Sequence, residues 1–307
     1  MKTILLTNLM MLAEEKRFVS ILEAKGFKVI LRRPFQFFDE AACLEMVGEI
    51  DGWLAGDDVI TAVVLDKAKP RLKVISKWGT GLDTIDLKAA KERGLPVHNT
   101  PAAFKDAVAE VALSYMIELA RGVIRTDQQI RKGQWPKTPS LGLMGQSLGI
   151  IGFGAIGRGV AKRAAAFDMD IRFYDPYFKG KDEATFQQMD MLEDLLEKSQ
   201  FVCLSCNNSP ENYHLMNEAR LAMMPKGSYL INVARGPLVK EEALVEAIKL
   251  GHISGAGLDV FEVEPLPETS PLRDLDNVLL GSHNANNVVS VVEAVHESTL
   301  NNLYKSL

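Results

Sequence analysis

The chain has 307 residues, 47% of them hydrophobic and 24% charged, with a formal net charge of −5. This is the composition of a soluble globular protein long enough for two domains, and an acidic balance with no basic run excludes a nucleic-acid footprint. Three cysteines, Cys43, Cys203 and Cys206, make no disulfide framework and point to a reducing compartment, the cytoplasm.

Residues 3–7 are strand-like and 12–25 helical, with Gly26 as the stop. Lys2 and the apolar residues after it resemble a signal peptide. Thr3, Thr7 and Asn8 interrupt that run and Glu14-Glu15-Lys16 follow it, so a strand and a helix start are expected instead. A strand at 27–31, a short helix at 39–48 capped by Asp39, a strand at 53–55 and a helix at 60–69 ended by Pro70 come next. A strand at 72–76 leads into Lys77-Trp78-Gly79-Thr80-Gly81. The alternation predicts a parallel sheet with helices on both faces. This block has no G-x-G-x-x-G and reads as a smaller companion domain. The run 96–101 closes it.

A long helix is expected over 107–132, with Val108, Val111, Ala112, Tyr115, Met116 and Leu119 on its apolar positions, stopped by Gly133 and Pro136. Residues 134–143 are irregular. The second block has strands at 148–151, 171–174, 201–206, 229–233, 256–260 and 278–280. Helices at 155–167, 192–198, 217–224 and 240–250 separate them. Six or seven strands in one mostly parallel, doubly wound sheet are expected. A last helix covers 288–303. No repeat, low-complexity stretch or membrane span stands out. Cys203 and Cys206 fall on one expected strand and point to opposite faces, which argues against a redox or metal pair. No His/Cys/Asp cluster has ligand spacing, so no metal is expected.

The stretch 148–157 reads LGIIGFGAIG, a buried strand running into Gly152-x-Gly154-x-x-Gly157 where a helix should begin. The first glycine permits the tight turn, the second lets backbone approach a pyrophosphate, and the third lets helix pack on strand. The following helix directs its N-terminal N–H groups at the phosphates. Asp175 ends the next strand, where an acidic residue accepts hydrogen bonds from the adenosine ribose and repels a 2′-phosphate. NAD is therefore expected as the cofactor.

Ligands of doubly wound sheets bind beyond the carboxyl ends of the strands. Arg235 follows the strand at 229–233, Asp259, Glu262 and Glu264 follow 256–258, and His283 follows 278–280. Arg235 can clamp a carboxylate bidentately, and His283 can pass a proton near neutral pH while a carboxylate orients it. Position alone does not choose between Glu262 and Glu264. His98, His214, His252 and His296 lie in or beside helices or in the linker, where structural roles are expected.

The segments VISKWGTGLDTIDL (74–87), HNTP (98–101), AVAEVAL (107–113), LGIIGFGAIG (148–157), SPENYHLMN (209–217), LINVARGPLVKEEAL (230–244), GAGLDVFEVEPLP (255–267) and NVLLGSH (277–283) together resemble the D-isomer-specific 2-hydroxyacid dehydrogenases. That family includes D-3-phosphoglycerate dehydrogenase, D-lactate dehydrogenase, glyoxylate/hydroxypyruvate reductase and formate dehydrogenase. The resemblance implies an NAD-dependent oxidoreductase that interconverts a D-2-hydroxy acid and a 2-oxo acid. Its catalytic residues would be Arg235, Glu264 and His283, the family's D-V-F-x-x-E-P pattern selecting Glu264. Gly152, Gly154, Ala155, Ile156, Gly157, Asp175, Cys206, Ser209, Val233, Ala234, Asp259 and His283 would line the cofactor. Lys77, Trp78, Gly79, Thr80 and Arg235 would face the substrate.

The resemblance also implies the α/β fold: two doubly wound parallel-sheet domains, a Rossmann nucleotide domain (99–283) inserted into a flavodoxin-like substrate domain (1–98 plus 284–307), with the active site in the cleft. A homodimer through the nucleotide domain is usual in the family. The chain stops at Leu307, so no C-terminal regulatory domain is expected. Two departures stand out. Where the family reads T-P-H-I-A-G, this chain has Gly281-Ser282-His283-Asn284-Ala285-Asn286, with Asn286 in place of the glycine. Lys77-Trp78 replaces the common arginine and small residue. Lys77 either faces a substrate phosphate or is a solvated loop lysine. The leading substrate is 3-phosphoglycerate, with glyoxylate/hydroxypyruvate and D-lactate-type acids as alternatives. A non-catalytic NAD(H)-sensing protein is the alternative of another class.

Overall fold

The computed structural model describes residues 1–180 and 186–307. The chain folds as two compact units, Met1–Phe104 with Asn287–Leu307, and Lys105–Asn286. The divisions lie a few residues beyond positions 98 and 283. Residues 99–104 stay with the first unit because the Thr100 N–H donates to Gly79 O at 2.8 Å and Phe104 packs on Trp78, ring centroids 5.4 Å apart.

The first unit is built on β1 (Thr3–Leu6), β2 (Lys28–Leu31), β3 (Gly52–Ala55), β4 (Val74–Lys77) and β5 (Val97–His98). They form one parallel sheet in the order β2-β1-β3-β4-β5. β1, β3 and β4 are buried along their length, as fits strands covered by helices on both faces. Leu5, Trp53, Val64 and Ile75 form the centre of one core, each side chain contributing roughly 1.5–3 kcal/mol through burial. Asp39, Thr61 and Asp86 cap the helices that follow them by accepting the N–H three residues on. The expected 12–25 helix is two, Leu9–Ala13 and Glu15–Ala24, the first capped by Asn8. The C-terminal helix Val289–Ser306 belongs to this unit, and Ser76 Oγ donates to its Thr299 carbonyl at 2.8 Å.

The second unit carries β6 (Ser147–Ile151), β7 (Asp170–Tyr174), β8 (Gln187–Gln188), β9 (Phe201–Leu204), β10 (Ser228–Asn232), β11 (Ile253–Leu258) and β12 (Val278–Leu280). Their order is β12-β11-β10-β9-β6-β7-β8, parallel throughout. The chain reverses its direction of build across β6 and β9, the switch point where such sheets bind ligands. The expected 107–132 helix is two, Lys105–Arg121 and Val123–Arg131. Gly122 between them adopts φ 59°, a left-handed conformation that ends the first helix. The strand expected over 201–206 stops at Leu204, which puts Cys206 in the turn beyond it. β8 has only two exposed glutamines and no apolar alternation to announce it. Among the described residues no helix is long and apolar enough to cross a membrane.

Candidate active site

The glycine loop divides its three glycines between fold and ligand. Gly152 has φ 89°, and a Cβ there would lie 2.6 Å from the backbone N and Cα of Cys206. Only glycine fits. A Cβ on Gly157 would collide with the Gly152 carbonyl and lie 2.9 Å from Ser205 Oγ, so this glycine lets the helix Ala155–Ala165 sit against β6. A Cβ on Gly154 would meet nothing within 4 Å. That open space lies at the N-cap of the Ala155–Ala165 helix, the cradle a pyrophosphate fills. Asp175 follows β7. Its Oδ2 accepts the Phe153 N–H at 2.8 Å and its Oδ1 the Tyr177 N–H at 2.9 Å. The carboxylate thus braces the glycine loop at the position where a ribose would arrive. The residues present fit a dinucleotide.

The polar residues expected on neighbouring strand ends come off adjacent strands, since β10, β11 and β12 pair directly with Asn232 opposite Leu258 and Leu258 opposite Leu280. After β10, Asn232 folds the turn: its Nδ2 donates to Arg235 O at 2.8 Å and its Oδ1 accepts the Ala234 N–H at 3.1 Å. Val233 and Ala234 are buried and Arg235 is half-buried, donating to Ala234 O at 2.8 Å. A Cβ on Gly236 would collide with the Phe261 backbone, so glycine brings the Arg235 turn against the 259–264 loop.

Glu264 and His283 meet there. Glu264 Oε1 accepts the Phe261 N–H at 2.9 Å, and Oε2 lies 2.8 Å from His283 Nδ1. A carboxylate accepts, so Nδ1 carries the ring proton and Nε2 becomes the proton-transfer atom. His283 has φ 55°, sparsely populated for a non-glycine residue. Its N–H donates to Asp259 O at 2.7 Å, which holds that conformation. The buried Asp259 carboxylate accepts the N–H groups of Asn284 at 3.2 Å and Ala285 at 3.0 Å. Burial pushes its pKa up.

The other four histidines have structural partners. His214 Nε2 lies 2.5 Å from Glu262 Oε1, His252 Nε2 lies 3.1 Å from Leu221 O, and His98 Nε2 lies 3.0 Å from Ser306 Oγ. His296 Nδ1 accepts the Trp78 Nε1–H at 3.0 Å. Among the described residues one trio of possible metal ligands, Glu14, Glu293 and His296, lies within 4.8 Å. With Nδ1 accepting from Trp78, the His296 proton resides on Nε2 and that atom cannot ligate. Arg17 bonds both carboxylates, so the trio is an ion-pair cluster.

The first unit uses Lys77 and Trp78 internally. Lys77 is buried, its Nζ 2.8 Å from Asp57 Oδ1 and donating to Trp78 O at 2.9 Å. It is therefore not a solvated loop lysine. Trp78 is buried between Phe104 and His296. Gly79 has φ 102°, and its carbonyl accepts the Thr100 N–H. Exposed Thr80 donates from Oγ1 to Thr100 O at 3.0 Å, closing the turn. Cys206 is half-buried against Gly152, and Ser209 starts the short turn Pro210–Asn212. Burial pushes the Cys203 and Cys206 thiols up to about 12, which keeps them protonated and unreactive.

Sequence reasoning missed Tyr115, read only as an apolar helix position. Its hydroxyl and the Asp259 carboxylate both reach the space beside Gly281. The available signal was Gly281, an unexpected glycine beside the histidine.

A phosphate cradle and a carboxylate-held histidine on one parallel sheet are the working parts of a dinucleotide-dependent oxidoreductase. Residues 113–285 match the model of the D-isomer specific 2-hydroxyacid dehydrogenase NAD-binding domain. A glyoxylate reductase of Thermofilum pendens is 42% identical over 254 residues, 80% of this chain and 75% of that one. A D-3-phosphoglycerate dehydrogenase of Methanocaldococcus jannaschii is 40% identical over 229 residues, 73% of this chain and 43% of that one. The crystal structure of a glyoxylate reductase from Paecilomyes thermophila superimposes with a TM-score of 0.84 at 28% identity, covering 99% of this chain and 94% of that one. The chain belongs to the D-isomer-specific 2-hydroxyacid dehydrogenases and is an NAD-dependent oxidoreductase.

Proposed function

We propose that the substrate is a small, unphosphorylated 2-oxo acid of the glyoxylate or hydroxypyruvate class, reduced to its 2-hydroxy acid. 3-Phosphoglycerate led the sequence reading, and the charge that could have faced its phosphate was Lys77. That charge is buried against Asp57, which removes the argument for a phosphorylated substrate. The similarity to glyoxylate reductases supports the smaller acid.

The contact between Glu264 Oε2 and His283 Nδ1 carries the catalytic assignment. The glycine loop 152–157, Asp175, Cys206, Ser209, Val233, Ala234 and Asp259 would hold the dinucleotide. Reduced NAD, when bound, supplies the hydride that adds to C2. Arg235 binds the substrate carboxylate through its planar fork and polarises the neighbouring carbonyl. His283 gives the proton from Nε2 to the developing alkoxide, and Glu264 stabilises the imidazolium that precedes this transfer. Oxidation runs through the same groups reversed.

A homodimer through the second unit goes with this reading. The helix Val123–Arg131 buries none of its residues, and Val123, Ile124, Trp135 and Met144 are all more than half exposed. Rates of NADH oxidation with glyoxylate, hydroxypyruvate, phosphohydroxypyruvate and pyruvate test the substrate assignment. Preference for the phosphorylated acid would overturn it.

A further inference from the structure

Tyr115 lies on the Lys105–Arg121 helix, and two glycines clear its path to Asp259. A Cβ on Gly257 would sit 2.6–2.8 Å from Tyr115 Cβ, Cγ and Cδ2. A Cβ on Gly281 would collide with both Tyr115 Oη and Asp259 Oδ1. The phenol oxygen and the Asp259 carboxylate thus share the space that the missing Gly281 side chain leaves open, and burial beside that carboxylate raises the pKa of the phenol. The same carboxylate accepts the N–H groups of Asn284 and Ala285, and the Asp259 carbonyl accepts that of His283. The phenol thus abuts the residue that accepts three consecutive backbone donors, the first of them from the histidine.

We propose that Tyr115 is a positioning residue for the reaction. Through Asp259 it fixes the His283–Ala285 turn that aims the imidazole at Glu264, and Gly281 is the glycine this arrangement demands. The proposal rests on the assignment of His283 above. A phenol O–H beside the carboxylate favours its ionised form against the burial that disfavours it. The charged and titratable groups acting on Asp259 are Tyr115 from the helix, Glu264 from its own loop and His283 from the loop after β12. If Asp259 takes up a proton, one of its oxygens becomes a donor and the two backbone N–H groups lose half their acceptor.

The test uses the full-length protein with NADH and whichever 2-oxo acid it reduces. Tyr115→Phe should lower kcat about tenfold, with little change in the KM for NADH, and should move the acid limb of the kcat profile up by about one pH unit. A residue that merely fills the core would leave that limb in place. Gly281→Ala should be more damaging. An unchanged acid limb in an active Tyr115→Phe protein overturns the inference alone. Absence of turnover by the unmodified protein overturns the reading of the site and this inference with it.

Discussion

Glu262 Oε1 sits 2.5 Å from His214 Nε2, so the carboxylate nearest in sequence to Glu264 already has a histidine of its own. Its second oxygen accepts the Glu241 N–H at 2.8 Å. Glu262 therefore ties the 259–264 loop to the Glu241–Lys249 helix, while Glu264 serves His283. Glu264→Gln should cut kcat/KM by roughly 10²-fold or more and displace its histidine-dependent limb. Glu262→Gln should leave that limb where it is and lower stability by about 1–2 kcal/mol. Parallel pH–rate profiles and denaturant titrations separate the two.

The glycines of the loop should also separate. Gly152→Ala and Gly157→Ala each meet backbone in the free protein and should cost about 1–3 kcal/mol of stability. Gly154→Ala meets nothing, so the melting temperature should hold while NADH affinity falls at least tenfold, as expected for a lost phosphate contact. Thermal melts and NADH fluorescence titrations check this. A Gly154→Ala protein that binds NADH normally would refute the phosphate cradle.

Arg235→Lys keeps the charge but loses the planar fork. We expect KM for the 2-oxo acid to rise and kcat to fall, together about 10²-fold in kcat/KM. The KM for NADH should stay near its original value. An equal loss on both substrates would place Arg235 with the cofactor instead.

Stability should fall in mild acid through His296. Burial lowers its pKa below the ordinary 6.5, so the folded state binds fewer protons than the unfolded chain in that range. The stabilisation is present above pH 6.5 and is lost as pH drops through the lowered value. Protonation at Nδ1 would also break the bond from Trp78. In His296→Leu the buried indole N–H is left unsatisfied, a cost of about 1–3 kcal/mol at neutral pH. The variant should lose less additional stability on acidification than the original protein. Urea midpoints at neutral and mildly acidic pH provide the comparison.

Most of the architecture was readable because it rests on local signals. Apolar strands between capped helices announced both sheets, and the G-x-G-x-x-G run marked the tight turn from β6 into its helix. The strand-end rule put Arg235, the carboxylates Glu262 and Glu264, and His283 on one sheet edge, and the family's D-V-F-x-x-E-P pattern, not position, chose Glu264. What failed depended on partners distant in sequence. The exception is local: Gly122 takes a left-handed conformation that ends the first helix. Lys77 looked available because Asp57, twenty residues earlier, is not visible as its neighbour in a one-dimensional reading. Tyr115 looked like a core residue because the carboxylate its hydroxyl lies beside, Asp259, is 144 positions later in sequence.

The most direct test of the account is NADH oxidation by the original protein and by His283→Ala, measured across pH with glyoxylate and hydroxypyruvate. The original protein should turn over at least one of these acids, and the variant should lose roughly 10²–10⁴-fold in rate. NADH binding should be retained, and the limb governed by the imidazole should disappear. A His283→Ala protein that keeps both its rate and that limb would contradict the assignment of the proton to His283.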